Sequence, residues 1–244
     1  MIELVSIDVT IWSDIACPWC YIGKRRFEKA LAGFEHRDQV NVTWKSYQLD
    51  PTLPEHDERD EATYLSETKG MARADVEQML QHVTQTAKTE GLAYDFSAAV
   101  VANSRKAHRL LHAAKQADAK DSGHRTNELE ESLLRAQFVE GKNIGDDDTL
   151  IKMAAAVGLD EGEAKAALHS GELDQLVQAD IDEARQLGVQ GVPFFVLANK
   201  YGVSGAQPAE FFGQALRQVW EEQSKSPLIT LDGETGEACG PDGC

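Results

Sequence analysis

A Cys-x-x-Cys placed where a strand pattern gives way to a helix pattern constrains this chain more than any other feature. Cys17-Pro18-Trp19-Cys20 follows the apolar, β-branched run Val5–Trp12 and precedes a helical pattern that starts near Tyr21. That setting is a redox signature. Pro18 suits the first helical position, so Cys17 falls at the N-cap and Cys20 lies one turn on. Residues three apart share a helix face and come within disulfide reach. A Cys17 thiolate would meet unpaired N–H groups and the positive end of the helix dipole, which favours the nucleophilic form. Cys20, deeper in the turn, is expected to be the more buried, resolving thiol. The alternatives are half of a zinc site or two core cysteines. Zinc needs two further ligands, and the only other pair, Cys239 and Cys244, sits at the far C-terminus.

Val5–Trp12 alternates apolar and polar and reads as a strand. A helix is expected from about Pro18 to Gly33, and Val40–Tyr47 reads as a second strand. Strand, helix, strand is a βαβ unit, which implies parallel pairing and a right-handed crossover. Leu49 to Asp60 reads as a loop. Helical patterns follow over Glu61–Thr68, Asp75–Glu90, Ser104–Asp118, Thr126–Glu140, Asp148–Val157, Asp160–Ser170 and Asp174–Leu187. Gly91, Gly123, Gly141, Gly158, Gly171 and Gly188 are read as stops between or after them. Strand character returns in Val192–Leu197 and Lys200–Val203, with Asn199 at the turn, and Pro208–Trp220 reads as a last helix.

The order is therefore βαβ, a helical block, then ββα. It predicts an α/β fold in which two halves of one sheet domain, residues 1–50 and 188–223, flank a helical insertion, residues 51–187. The block is expected to cover the sheet's end. Residues 224–244 read as an extended, acidic tail.

With 244 residues and 42% hydrophobic content the chain can bury a core. Its formal net charge of −17 argues against nucleic acid and anionic membranes as partners. No run approaches the ~20 apolar residues of a membrane span. Glu3 stands where a secretory signal would carry bases, so a cytoplasmic setting is expected. In a reducing cytosol, local cysteine pairs are more often catalytic or metal-binding than structural.

Beyond the cysteines, Trp12 is expected in the core and Trp19 at the surface. Asp14 is expected to cap the turn, rather than to face the Cys17 sulfur or to accept a proton from Cys20. His108 and His112 share a helix face at metal-ligand spacing, but no third ligand is placed with them, so no metal is expected. The acidic run Glu55–Glu61 reads as a solvated loop.

Several stretches together resemble the DsbA family of thioredoxin-fold proteins, and within it the cytosolic FrnE-like subgroup. They are Cys17–Cys20 after a strand, the helical insertion, Gly191-Val192-Pro193-Phe194-Phe195 before a strand, and Gly202-Val203-Ser204-Gly205-Ala206-Gln207-Pro208. Asn103, Ala107, His108, Arg109 and Leu110 also resemble a segment of that subgroup's insertion. The resemblance covers about residues 5–222 and implies a thioredoxin-like fold. It implies thiol–disulfide exchange by Cys17 and Cys20 on protein or small-molecule thiols and disulfides. It also implies a cis-proline at Pro193, which would free the Val192 backbone for an extended substrate. Pro18, Trp19, Val192 and His108 would line the substrate cleft. No bound cofactor is implied, though glutathione could serve as co-substrate. The related 2-hydroxychromene-2-carboxylate isomerase and kappa glutathione transferase branch carries Ser at the position matching Cys17, so the two cysteines favour the dithiol branch. Cys239 and Cys244 fall outside the family pattern. They flank a Gly-Pro-Asp-Gly turn and read as an auxiliary dithiol for Cys17/Cys20, or as a local disulfide.

Overall fold

The computed structural model describes residues 6–224. The Cys239/Cys244 pair lies outside the described residues.

Strand β1 (Ile7–Ser13) alternates along its length, and the two faces have different neighbours. Ile7, Val9 and Ile11 enter one core, while Trp12 points to the opposite side of the sheet. Helix α1 (Pro18–Ala32) returns the chain so that β2 (Val40–Ser46) pairs parallel to β1, from Ile7↔Val40 to Ser13↔Ser46. Strand β3 (Phe194–Leu197) joins the other edge of β1 antiparallel, and β4 (Tyr201–Ser204) completes the order β2-β1-β3-β4. The expected βαβ and ββα halves thus share one sheet. This is a thioredoxin-like α/β fold with a long helical segment between the halves.

The β3–β4 turn is tighter than composition suggests. Ala198 and Asn199 both hold left-handed backbone, φ 51° and 52°, and the Lys200 N–H closes the turn onto the Leu197 carbonyl at 3.0 Å. Two successive positive φ angles match the right-handed twist of the paired strands. Asn tolerates that conformation better than Ala.

One face of the sheet is covered by α1 and α9 (Ala209–Gln223). Phe27, Phe195 and Phe212 meet there, with Phe195 and Phe212 centroids 4.6 Å apart. The other face is covered by α8 (Gly171–Gln186), the last helix of the intervening block. Trp12 Nε1 donates to the Asp180 carbonyl at 2.9 Å, and the Ser46 N–H donates to the Asp180 carboxylate at 2.9 Å. The helical block therefore supplies a layer of the sheet domain as well as a cover for its end. Gly171, expected to stop a helix, is the first residue of α8, because Ser170 caps it by accepting from the Leu173 N–H.

The remaining helices are α2 (Glu61–Lys69), α3 (Arg73–Thr89), α4 (Arg105–Asp121), α5 (Arg125–Phe138), α6 (Asp147–Ala156) and α7 (Glu161–Leu168). They build a second core from residues such as Val83, Leu110, Leu133, Leu134 and Leu150. That core also contains Ile15, Cys17, Cys20, Tyr21 and Ile22. The first turn of α1 is thus buried in the helical block, while the rest of α1 belongs to the sheet. Glu131 on α5 fastens the two parts: it accepts from Tyr21 Oη at 2.5 Å, and Lys24 Nζ lies 3.1 Å away. The acidic stretch before α2 is ordered by pairing. Asp57 bonds Arg59, while Asp60 caps α2 and meets Arg73 at 2.9 Å.

Phe212 is fully buried at the meeting point of α1, α9 and β3. Phe212→Ala is expected to cost about 3–5 kcal/mol, as for other aromatic truncations in a core. The check is the urea midpoint of the variant against that of the parent at unchanged m.

Candidate active site

Four residues, Asp14 to Cys17, turn the chain from β1 into α1. The Cys17 N–H donates to the Asp14 carbonyl at 3.0 Å, and Asp14 Oδ1 accepts from the Ala16 N–H at 3.1 Å. Asp14 does cap the turn, as its position suggests, and it does more. Its Oδ2 accepts from the Leu49 N–H at 2.7 Å, and His108 Nε2 lies 3.3 Å from Oδ1. Burial alone would raise the Asp14 carboxyl; His108, the Leu49 N–H and Ser104 outweigh it and hold the group below the ordinary carboxylate value.

Cys17 is the N-cap of α1 and Pro18 opens the helix. Both cysteines are free thiols. The Cys17 thiol donates to the Val192 carbonyl, with Sγ at 3.4 Å from the oxygen. A neutral thiol has a proton to give, so it turns to a carbonyl. A thiolate has none and would draw on the first-turn N–H groups and the helix dipole. Cys20 is deeper, 1% exposed against 4% for Cys17. Burial, then the neighbouring Cys17 thiol, pushes the Cys20 thiol well above the ordinary value. The Ser13 hydroxyl faces Cys20 and donates to Glu130 Oε1 at 2.6 Å. Glu130, on α5, is itself buried, and burial raises its carboxyl despite the Ser13 hydrogen bond and the nearby His108 and Lys24. A thiol, a hydroxyl and a protonatable carboxyl are thus in series beneath the cysteines.

The Val192–Pro193 peptide is cis, and the Pro193 carbonyl accepts from the Gly205 N–H at 2.9 Å. This joins the Gly191–Phe195 stretch to the Gly202–Pro208 stretch beside Cys17. Gly23, one turn beyond Cys20, makes that approach possible: a Cβ there would sit 2.8 Å from Pro193 Cγ. Tyr94 Oη donates to the Pro18 carbonyl at 2.7 Å and fixes the first turn from the far side.

Two expected positions need correction. Trp19 is half-buried, with its ring 6.2 Å from that of His82, because the helical core reaches over the first turn of α1. His108 is 1% exposed and lies behind Asp14, so it does not line the cleft. His112, one turn on, has Nε2 3.0 Å from Asp180. The two histidines serve different carboxylates. Among the described residues no three His, Cys, Asp or Glu side chains are grouped to hold a metal. Gly23, Tyr94, Ser13 and Glu130 carry no local sequence signal; only contacts between distant segments reveal them.

A cavity of about 630 Å³ opens beside Cys17, between the first turn of α1 and helices α2 and α3. Cys17, Pro18 and Trp19 form one wall, and Leu65, Leu80 and Val83 another. Cys17 at the wall of a partly open, mostly apolar space, with Cys20 behind it, can exchange with a disulfide that enters it.

Comparison with known proteins agrees with this geometry. The family described as "DSBA-like thioredoxin domain" matches residues 8–217. The chain belongs to that family. It is 44% identical to a probable DsbA oxidoreductase from Streptomyces coelicolor, with 98% of each chain covered and a TM-score of 0.82. It is 27% identical to the uncharacterized protein YwbO of Bacillus subtilis (strain 168), over 91% of this chain and 100% of that one. The cytosolic disulfide reductase DsbM of Pseudomonas aeruginosa shares the fold at 21% identity and a TM-score of 0.58, with 88% of this chain and 99% of that one covered. No described helix is long and apolar enough to cross a membrane.

Glu130 gives a pH signature. Its folded-state value is raised, so the folded protein holds this proton more tightly than the unfolded chain does. Its contribution is fully present below the unfolded value of ~4.3 and is lost as pH rises through the raised folded value. Glu130→Gln keeps an acceptor for Ser13 and cannot ionise. Parent stability relative to this variant is expected to fall as pH rises through that window. Urea midpoints taken from pH 4 upward test it; parallel curves would refute the raised value.

Proposed function

We propose that this chain is a thiol–disulfide oxidoreductase in which Cys17 attacks and Cys20 resolves. The observation that supports it best is the placement of Cys17. It occupies the N-cap position of α1, its sulfur lies 3.4 Å from the Val192 carbonyl, it forms part of a wall of the cavity, and Cys20 is one turn behind it. In the reducing direction the Cys17 thiolate attacks a substrate disulfide. One substrate thiol leaves, and Cys20 then displaces the second from Cys17. The enzyme's dithiol becomes a disulfide, and the substrate gains two electrons and two protons. The reverse sequence oxidises a substrate dithiol.

Pro18, Trp19 and Val192 are assigned to the substrate wall in this reading, with Pro193 holding Val192 in place. The FrnE-like placement rests on Gly191–Phe195 and on the Asn103–Leu110 segment. A reducing cytosolic setting would favour reductase or isomerase work over export-linked oxidation. The Cys239/Cys244 pair, outside the described residues, enters the reading as an auxiliary dithiol that exchanges with Cys17/Cys20.

Reduction of insulin disulfides tests the main reading. Cys17→Ser is expected to abolish turnover, and Cys20→Ser to accumulate a mixed disulfide through Cys17, visible by intact mass. Full dithiol activity in Cys20→Ser would reverse or remove the assigned roles. Conjugation of glutathione to an aryl halide without insulin reduction would move the chain to the isomerase and transferase chemistry.

Replacing both Cys239 and Cys244 by Ser tests the tail. Loss of turnover with a protein reductant, but not with a small dithiol, is expected if the pair relays electrons. Unchanged rates with both would exclude the relay.

A further inference from the structure

The cavity beside Cys17 has a charge pattern that bears on its substrate. Asp14, Asp50 and Glu61 are among its lining residues, and Lys69 is the one Lys or Arg there among the described residues. Asp14 is held ionised by His108 and backbone N–H groups. Asp50 accepts from the Thr52 N–H and hydroxyl and from Tyr64 Oη at 2.8 Å, which stabilise its charged form. Glu61 stands in the first turn of α2, and burial with Asp60 alongside pushes it up to about 7, so it is ionised at pH 8.

A second observation is independent of charge. Gln137 lines the same cavity and is 3% exposed. Its Nε2 donates to the Val100 carbonyl at 3.0 Å, but its Oε1 is buried without a hydrogen-bond partner. A buried, unpaired acceptor costs roughly 1–3 kcal/mol, which a ligand with an N–H or O–H donor would recover.

We propose that this cavity binds a low-molecular-weight disulfide whose polar end is neutral or cationic and carries a hydrogen-bond donor, and that it discriminates against anionic disulfides such as that of glutathione. The inference rests on the oxidoreductase reading and names its substrate class. The apolar wall of Leu65, Leu80 and Val83 takes the carbon chain, and Gln137 Oε1 accepts from the polar end. An anionic substrate would bring its carboxylates beside Asp50 and Glu61 in a space partly shielded from water, where like charges repel more strongly than in bulk solvent. The chemistry balances without a further reductant. The reduced enzyme and one disulfide give the oxidised enzyme and two thiols, with Cys17 forming the mixed disulfide and Cys20 breaking it.

The test is single-turnover oxidation of the reduced full-length protein at pH 8. The probes are cystamine (cationic), 2-hydroxyethyl disulfide (neutral), 3,3′-dithiodipropionate (anionic, similar in size to cystamine) and oxidised glutathione. Each rate is divided by the rate of dithiothreitol with the same disulfide, which removes intrinsic reactivity. The expected result is a normalised preference for cystamine over both anionic disulfides of at least about tenfold, shrinking as salt is added. Glu61→Lys should reduce that preference at least threefold. Gln137→Met, which removes the acceptor at similar length, should slow cystamine at least threefold. Equal normalised rates, or a preference for glutathione disulfide, would overturn the substrate class and leave the oxidoreductase reading standing. Inertness toward all four disulfides would overturn the substrate class, and failure to reduce insulin as well would overturn the oxidoreductase reading.

Discussion

The buried carboxylate of Asp14 is the constraint on which the site depends. It binds the turn into α1 through Ala16, the chain after β2 through Leu49, and α4 through His108. These segments come from three distant parts of the sequence and meet where the strand ends and the helix begins. Without the carboxylate, the part-buried N–H groups of Ala16 and Leu49 would lose their acceptor. A buried charge is tolerated because every lone pair in use has a donor. Cys17 inherits its position from that turn, since its own N–H is bonded to the Asp14 carbonyl.

The same low-polarity setting separates the two thiols. Cys17 lies at the cavity wall with a backbone carbonyl as its partner, and Cys20 faces Ser13, which donates to Glu130. Burial disfavours charge on Cys20 and on Glu130 alike, so each group holds its own proton more strongly than in water. For Cys20 to resolve a mixed disulfide it must release that proton. The Ser13 hydroxyl, which faces Cys20 and donates to Glu130, is a group beside it that can both accept and donate.

What was legible in the sequence follows the range of the forces involved. The strand before the cysteines, the Pro18 helix start and the parallel β1–β2 pair were readable because periodicity and capping are local. Helix ends shifted by a few residues where caps rather than glycines decided them, as at Ser170 and Gly171. The half-burial of Trp19 and the concealment of His108 were not readable, since both result from the helical block closing over the first turn of α1. Gly23 was missed for the same reason: its need for a missing side chain is set by Pro193, far along the chain.

The Asn103–Leu110 segment shows how a resemblance can mark a scaffold rather than a contact. Asn103 Nδ2 donates to the Leu53 carbonyl at 2.7 Å, its Oδ1 accepts from Gln48 Nε2 at 2.6 Å, and its N–H donates to the Pro54 carbonyl at 2.9 Å. It therefore fixes the loop that carries Leu49, Asp50, Thr52 and Leu53 into the cavity wall. His108 holds Asp14 from behind, and Arg109 pairs with Asp174 at the start of α8 while its Nη1 donates to the Leu168 carbonyl at 2.5 Å. Ala107 and Leu110 are fully buried beside them. Of these residues none lines the cavity, yet together they set the wall that faces Cys17. Under the proposed substrate class, preference would be set by the loop that Asn103 holds, with Asp50, and by α2, with Glu61, while the segment itself holds Asp14 and the loop in place.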